Sequence, residues 1–176
     1  DNAAGGELEL RGIKLANQLH PEVLGKKVEL VVADNKSDKA EAASVAARLI
    51  EKDKVSVLVG SYGSSLSMAA GNIVKENKVP AVGTSCTNPQ VTANNDYYFR
   101  ACFIDPFQGT VMAKFATAEL GVGNAAILID NSSDYAKGLA QFFKENFVKE
   151  GGAVTAEESY LQKDTDFKAT LTKIKA

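Results

Sequence analysis

The chain has 176 residues, 45% of them hydrophobic and 24% charged, with 20 basic and 22 acidic side chains and a net charge of −2. That balance is too apolar for a disordered segment, the length allows one good core or one complete domain plus part of another, and the interleaved charges form no basic stripe of the kind that binds nucleic acid. No run reaches the roughly 20 continuous apolar residues of a membrane span.

His20, the only histidine, stands before Pro21 with no second histidine to complete a metal site or a catalytic pair. Cys86 and Cys102, the only cysteines, match no zinc or redox spacing, so they are either two thiols or one disulfide. No cofactor and no metal are expected. No signal peptide opens the chain, which leaves a cytosolic protein or a mature, trimmed one.

Residues 6–19, GELELRGIKLANQL, place Leu8, Ile13 (with Leu10 close by), Ala16 and Leu19 near one face at helical spacing. VELVVAD at 28–34 is continuous, short and β-branched, the pattern of a strand covered on both faces. Asp38 and Glu41 resemble a capping box that opens a helix running to about residue 53. Strands are then expected at 55–60, 80–85 and 97–102, with a helix at 64–77 between the first two and another at 106–120. A second series follows: strand 125–130, helix 135–150, strand 153–160 and a last helix from Phe167. Strands alternating with helices of this length specify βαβ units and a parallel sheet, so the class is α/β.

GVGN at 121–124 is the expected boundary, with lobe 1 and a crossing helix at 1–120 and a partial lobe 2 at 121–176. Each lobe is Rossmann-like, and a cleft and hinge between them are expected. The chain opens in a glycine-bearing loop and a helix with no strand before it, and it stops in a helix; a fragment is the expectation.

In an open parallel sheet, ligands bind beyond the carboxyl ends of the strands. The loops there, DNKSD, GSYGSS, GTSCTN and DNSSDY, are rich in hydroxyls and poor in groups able to act as acid or base, a composition suited to holding a ligand. Ser64 is read in two ways. As an N-cap it contributes about 1 kcal/mol to its helix; as a ligand group it joins the helix N–H groups in binding an anion such as a carboxylate. For Ser85 and Thr87 the alternatives are turn stabilisation, or an ammonium contact through the Ser85 carbonyl and a carboxylate contact through the Thr87 hydroxyl. Dinucleotide and nucleoside triphosphate motifs are absent, and Cys86 has no histidine nearby to activate it as a nucleophile.

VELVVADNKSDKAEAASVAARLIEKDKVSVLVGSYGSSLSMAA, KVPAVGTSCTNPQVT, YYFRACFIDPFQG and AAILIDNSSDYAKGLAQFF, in that order, resemble the leucine/isoleucine/valine-binding protein family, the type I periplasmic solute-binding proteins of amino-acid ABC importers. The resemblance implies a periplasmic or extracellular protein, free or lipid-anchored and monomeric when intact, that carries an amino acid, above all a branched-chain one, to a membrane permease without making or breaking a bond. It implies Ser64 at the α-carboxylate, Ser85 at the α-ammonium through its main-chain carbonyl, Thr87 gripping the carboxylate, Tyr135 closing over the ligand and Asp105 at the structured turn near the hinge. The plain alternatives are a packing role for Tyr135 and an N-cap before Pro106 for Asp105. Where many relatives carry tyrosine then glycine, this chain has Gly5 and Gly6. The family's first strand and the acidic residue that completes its ammonium site have no counterpart in these residues. An extracytoplasmic compartment would allow a Cys86–Cys102 disulfide, since both cysteines fall at one rim of the sheet. Competing functions are a Rossmann-like enzyme acting on a phosphorylated substrate at GSYGSS and a sensory domain of the same fold.

Overall fold

The computed structural model describes residues 3–175. The elements run α1 (Ala3–Leu19), β1 (Glu22–Val23), β2 (Lys26–Lys27), α2 (Lys39–Glu51), β3 (Leu58–Val59), α3 (Ser64–Asn77), β4 (Ala81–Gly83), β5 (Tyr98–Arg100), α4 (Asp105–Lys114), β6 (Asn124–Asp130), α5 (Asp134–Lys149), β7 (Ala153–Tyr160) and α6 (Lys168–Lys175). A 3₁₀ turn at Pro89–Val91 and a π turn at Phe115–Glu119 complete them. The class is α/β with parallel sheets, as expected, and no helix among the described residues is long and apolar enough to cross a membrane.

The chain divides into two compact units: Asp1–Cys86 with Gln90–Cys102, and Thr87–Pro89 with Phe103–Ala176. The expected boundary at 121 is corrected, because α4 belongs to the second unit. Gly109 of α4 lies so close to the backbone of Phe142 and Phe143 in α5 that an added Cβ would stand 2.7 Å from a main-chain carbon. That close approach of two helices fixes α4 to α5 before the GVGN stretch is reached.

In the first unit, β3, β4 and β5 form a parallel sheet in that order, with Leu58 beside Ala81 and Gly83 beside Arg100. Ile50, Val74, Ala81, Cys86, Val91 and Tyr98 make its buried core. Ala42, Ala46, Leu49 and Ile50 recur at helical spacing on α2 and are buried. Asp38 caps that helix by accepting from the Glu41 N–H at 2.9 Å. The reciprocal half of the capping box is not made; the Glu41 carboxylate takes Lys36 Nζ at 3.3 Å, and the Asp38 N–H goes to the Asn35 carbonyl.

Other expectations are corrected. Residues 28–34 join no ladder, and Val31 and Val32 stay exposed. A parallel strand exists only beside a partner, and among the described residues none lies next to this segment. The strands of the sheet are also shorter than read, because only the residues facing a neighbour enter the ladder. On α1 the packed stripe is Gly5, Gly6, Glu9, Leu10, Ile13 and Asn17, while Leu8 and Leu19 face outward. The opening glycines are helical rather than a loop. The hairpin β1–β2 turns through Leu24 and Gly25, both at positive φ, as a two-residue turn of this hand requires.

The second unit pairs β6 with β7 in parallel, with one irregularity between Ala125 and Ala126. Phe147 of α5 is wholly buried, stacked on Phe143 at 5.2 Å between ring centroids, with Gly152 flat beneath its ring.

Candidate functional site

The loop between β3 and α3 depends on two glycines, Gly60 at φ +114° and Gly63 at φ +85°, a backbone region that residues with a Cβ rarely enter. Three side chains hold it. The Tyr98 hydroxyl donates to the Gly60 carbonyl at 2.6 Å, Ser67 Oγ to the Ser61 carbonyl at 3.0 Å, and Asn35 Nδ2 to Ser61 Oγ at 3.1 Å. Burial pushes the Tyr98 phenol up to about 12, so it stays protonated and keeps donating. The ring of Tyr62 lies across Gly5, where an added Cβ would come within 2.4 Å of it.

Gly63, not Ser64, is the N-cap residue of α3, which corrects the capping role read for Ser64. Glycine brings no side chain to accept from the first turn. Ser64 is the first helical residue and is buried, 1% exposed. A buried hydroxyl at the positive end of a 14-residue helix is suited to an anion.

Ser85 lies one strand over, half-buried in the loop that follows β4. Beside it the Thr84 hydroxyl is buried with no hydrogen-bond partner. Cys86 is fully buried and Cys102 half-buried, and both are free thiols, so the expected disulfide is not part of this structure. The Cys86 sulfur instead turns back against Gly83 and shares a hydrogen bond with the Ser67 side chain. Burial, then the nearby Cys102 thiol, pushes the Cys86 thiol up to about 11. A neutral, buried thiol is no nucleophile. Arg100 steadies this corner, donating through Nη1 to the Cys86 carbonyl at 2.8 Å and through Nη2 to Thr92 Oγ1 at 2.6 Å.

The second unit holds Thr87, Asp105 and Tyr135. Thr87 is 8% exposed and its hydroxyl has no hydrogen-bond partner, while its carbonyl accepts from the Asp105 N–H at 2.9 Å. Asp105 is wholly buried at the start of α4, after the N-cap residue Ile104, so the N-cap reading of Asp105 is corrected. Asn88 Nδ2 donates to the Asp134 carbonyl at 2.9 Å and lies against Gly138, whose missing Cβ would clash with it at 2.7 Å. Tyr135, in the first turn of α5, accepts from Gln108 Nε2 at 2.9 Å. The structure thus places Ser64 and Ser85 at the carboxyl ends of adjacent strands in one unit, and joins Thr87, Asp105 and Tyr135 to α4 and α5 in the other. Among the described residues no three His, Cys, Asp or Glu side chains gather to hold a metal.

Tyr98, Asn88 and Arg100 were not singled out by sequence. Tyr98 reads there as an ordinary strand aromatic, and only its 38-residue reach to Gly60 reveals its work on the loop.

A family model described as periplasmic binding protein matches residues 2–176. An amino acid binding protein of Pseudomonas aeruginosa is 32% identical over 99% of this chain and 48% of its own length. The crystal structure of a leucine-binding protein from Thermotoga maritima superposes with a TM-score of 0.91 at 43% identity, over 94% of this chain and 47% of that one. A branched-chain amino acid transporter substrate-binding protein from Streptococcus pneumoniae, crystallised with isoleucine, gives 0.81 at 37% identity, over 98% and 47%. The chain spans about half the length of these relatives. With a family model covering nearly every residue and two parallel α/β units beneath it, the chain belongs to the periplasmic binding protein family, as the resemblance to the branched-chain amino-acid binders implied.

Proposed function

We propose that this chain supplies the amino-acid-gripping part of an extracytoplasmic solute-binding protein that delivers branched-chain amino acids to an ABC importer in the membrane. One observation carries the reading: α3 starts behind a glycine cap that offers no side-chain acceptor, with buried Ser64 as its first residue. A carboxylate such as an amino acid's is an anion that a helix N-terminus binds. Ser64 and the α3 N–H groups receive the carboxylate, the Ser85 carbonyl takes the ammonium, and the Thr87 hydroxyl, buried without a partner, binds the second carboxylate oxygen. Asp105 serves by holding the Thr87 peptide, and Tyr135 closes over the ligand as the two units move about their connections. In this reading the protein binds and releases its ligand without turnover.

Titration calorimetry of the full-length protein against the twenty amino acids tests the proposal. Binding of leucine, isoleucine and valine with no product in the ligand pool is expected. Turnover of any ligand, or binding of phosphate esters alone, would replace this reading with the enzyme one.

A further inference from the structure

Gly83, the last residue of β4, has no Cβ, and the Cys86 sulfur sits where one would be, 2.0 Å from the ideal position, with a Tyr98 ring carbon 3.3 Å from the same point. The sulfur therefore lies on the sheet face that carries Tyr98. Along β5, Tyr98 is buried, Phe99 exposed and Arg100 half-buried, so Arg100 shares the Tyr98 face, and from it Nη1 donates to the Cys86 carbonyl at 2.8 Å. Cys102 follows two residues on, half-buried in the bend that leaves the strand. The Ala101 N–H bonds to the Gly83 carbonyl at 2.9 Å, closing the Gly83–Arg100 pair, and Cys102 is the next residue along the chain. The two thiols interact electrostatically, after burial the largest influence on Cys86. They are also the residues at which the chain twice leaves the first unit, at 86/87 and at 102/103.

We propose that Cys86 and Cys102 are an oxidisable dithiol, a modification site that reacts with a small disulfide oxidant and ties together two of the chain's exits from the first unit. Cys102, the more exposed, attacks one sulfur of the oxidant as its thiolate and expels the other as a thiol, leaving a mixed disulfide. The Cys86 sulfur swings off Gly83 and Ser67, attacks Cys102 and releases the second half of the oxidant. Two protein thiols become one disulfide, one oxidant disulfide becomes two thiols, and the two protein protons leave with them. The raised Cys86 thiol makes the closing step slow near neutrality and faster at high pH. It also makes Cys86 a poor leaving group, so the closed bond reopens reluctantly. This proposal does not depend on the amino-acid reading and is tested without ligand.

The full-length protein is incubated with oxidised glutathione at pH 7 and pH 9, quenched, alkylated in denaturant and digested without reduction. A linked peptide pair carrying residues 86 and 102 is expected, forming at least tenfold faster at pH 9 and with an equilibrium constant at least tenfold higher in the folded protein than in urea. Cys86→Ala should instead accumulate the glutathione adduct on Cys102. A wild-type adduct that stays on Cys102 while Cys86 is fully alkylated would overturn the proposal. So would Cys102-linked dimers, or equal pairing in folded and urea-unfolded chains.

Discussion

Two of the helices that follow parallel strands, α3 and α5, have starts that are built differently. At α5 the end is closed by its own side chains: Ser133 Oγ accepts the Ala136 N–H at 3.2 Å, and Asp134 pairs with Lys137 at 3.2 Å. At α3 the cap residue is Gly63, at φ +85° and ψ +150°, with no side-chain cap, and the loop before it is pinned by Tyr98, Ser67 and Asn35. The same topological place can thus be finished by a capping side chain or by a glycine whose loop is held from outside, the place we propose for the ligand carboxylate. A glycine cap is held in shape from outside, which is why so many long-range bonds converge on residues 60–61.

The hardest way to break the α3 start is Gly63→Ala. An added Cβ would meet no neighbouring atom, so any loss is backbone strain alone, and this region of φ and ψ is essentially restricted to glycine at a cost of about 1–3 kcal/mol. Urea unfolding should read that loss, and leucine affinity should fall with it. A fully stable variant with unchanged affinity would mean the loop relaxes freely.

Ser64→Ala separates binding from stability. Ser64 is buried with a partner inside the protein, so unfolding free energy should fall by about 0.5–1.5 kcal/mol, the net worth of an ordinary hydrogen bond. Losing a hydrogen bond to a charged group removes about 1.5–3 kcal/mol, so amino-acid affinity should fall by about 10- to 150-fold. Thr87→Val should lower affinity for leucine, isoleucine and valine by one common factor. A changed preference among the three would put Thr87 at the ligand's side chain instead.

Alkaline pH sharpens the same contrast, because both shifted groups support the α3 side. Burial raises Cys86 from 9.0 to about 11 and Tyr98 from 10.0 to about 12. Above each ordinary value the unfolded chain loses a proton that the folded chain keeps. Their stabilisation is therefore complete below pH 9 and is lost progressively as pH rises through 11 to 12. Tyr98→Phe should remove the upper part of that decline while lowering stability at neutral pH, since the Gly60 carbonyl loses its donor. An unchanged alkaline profile in that variant would exclude Tyr98 as its source.

What was legible in the sequence follows what is local. The helix over 39–51 was visible because Ala42, Ala46, Leu49 and Ile50 repeat at its period and Asp38 stands before it, and β7 fell where read, at Ala153–Tyr160. Residues 28–34 were not, because an apolar run carries no sign of whether a partner strand lies beside it. In GSYGSS, glycine and serine are both good caps, and only the positive φ at Gly63 decides between them. The division between units was missed for a similar reason. GVGN reads as a linker, yet it only ends the helical run after α4, where the Val122 N–H reaches back to the Ala116 carbonyl. The crossings at 86/87 and 102/103 carry no such punctuation.

The smallest effect belongs to the helix that closes itself. Ser133→Ala removes the oxygen that accepts from Ala136 and should cost about 1 kcal/mol, while Ser133→Gly should cost only a few tenths, since glycine leaves water access to the same N–H groups. Neither change removes a group proposed to touch the ligand, so leucine affinity should stay within about twofold in both, as a ΔΔG of roughly 0.4 kcal/mol allows. The glycine variant is the informative one, because it gives α5 the kind of cap that α3 already has. If it gained affinity for acetate or another small carboxylate, a glycine cap alone would suffice to make an anion site in this fold. If it stays inert, the work at α3 is done by buried Ser64 and by the bonds that hold residues 60–63, and the cap only leaves the helix end open to them.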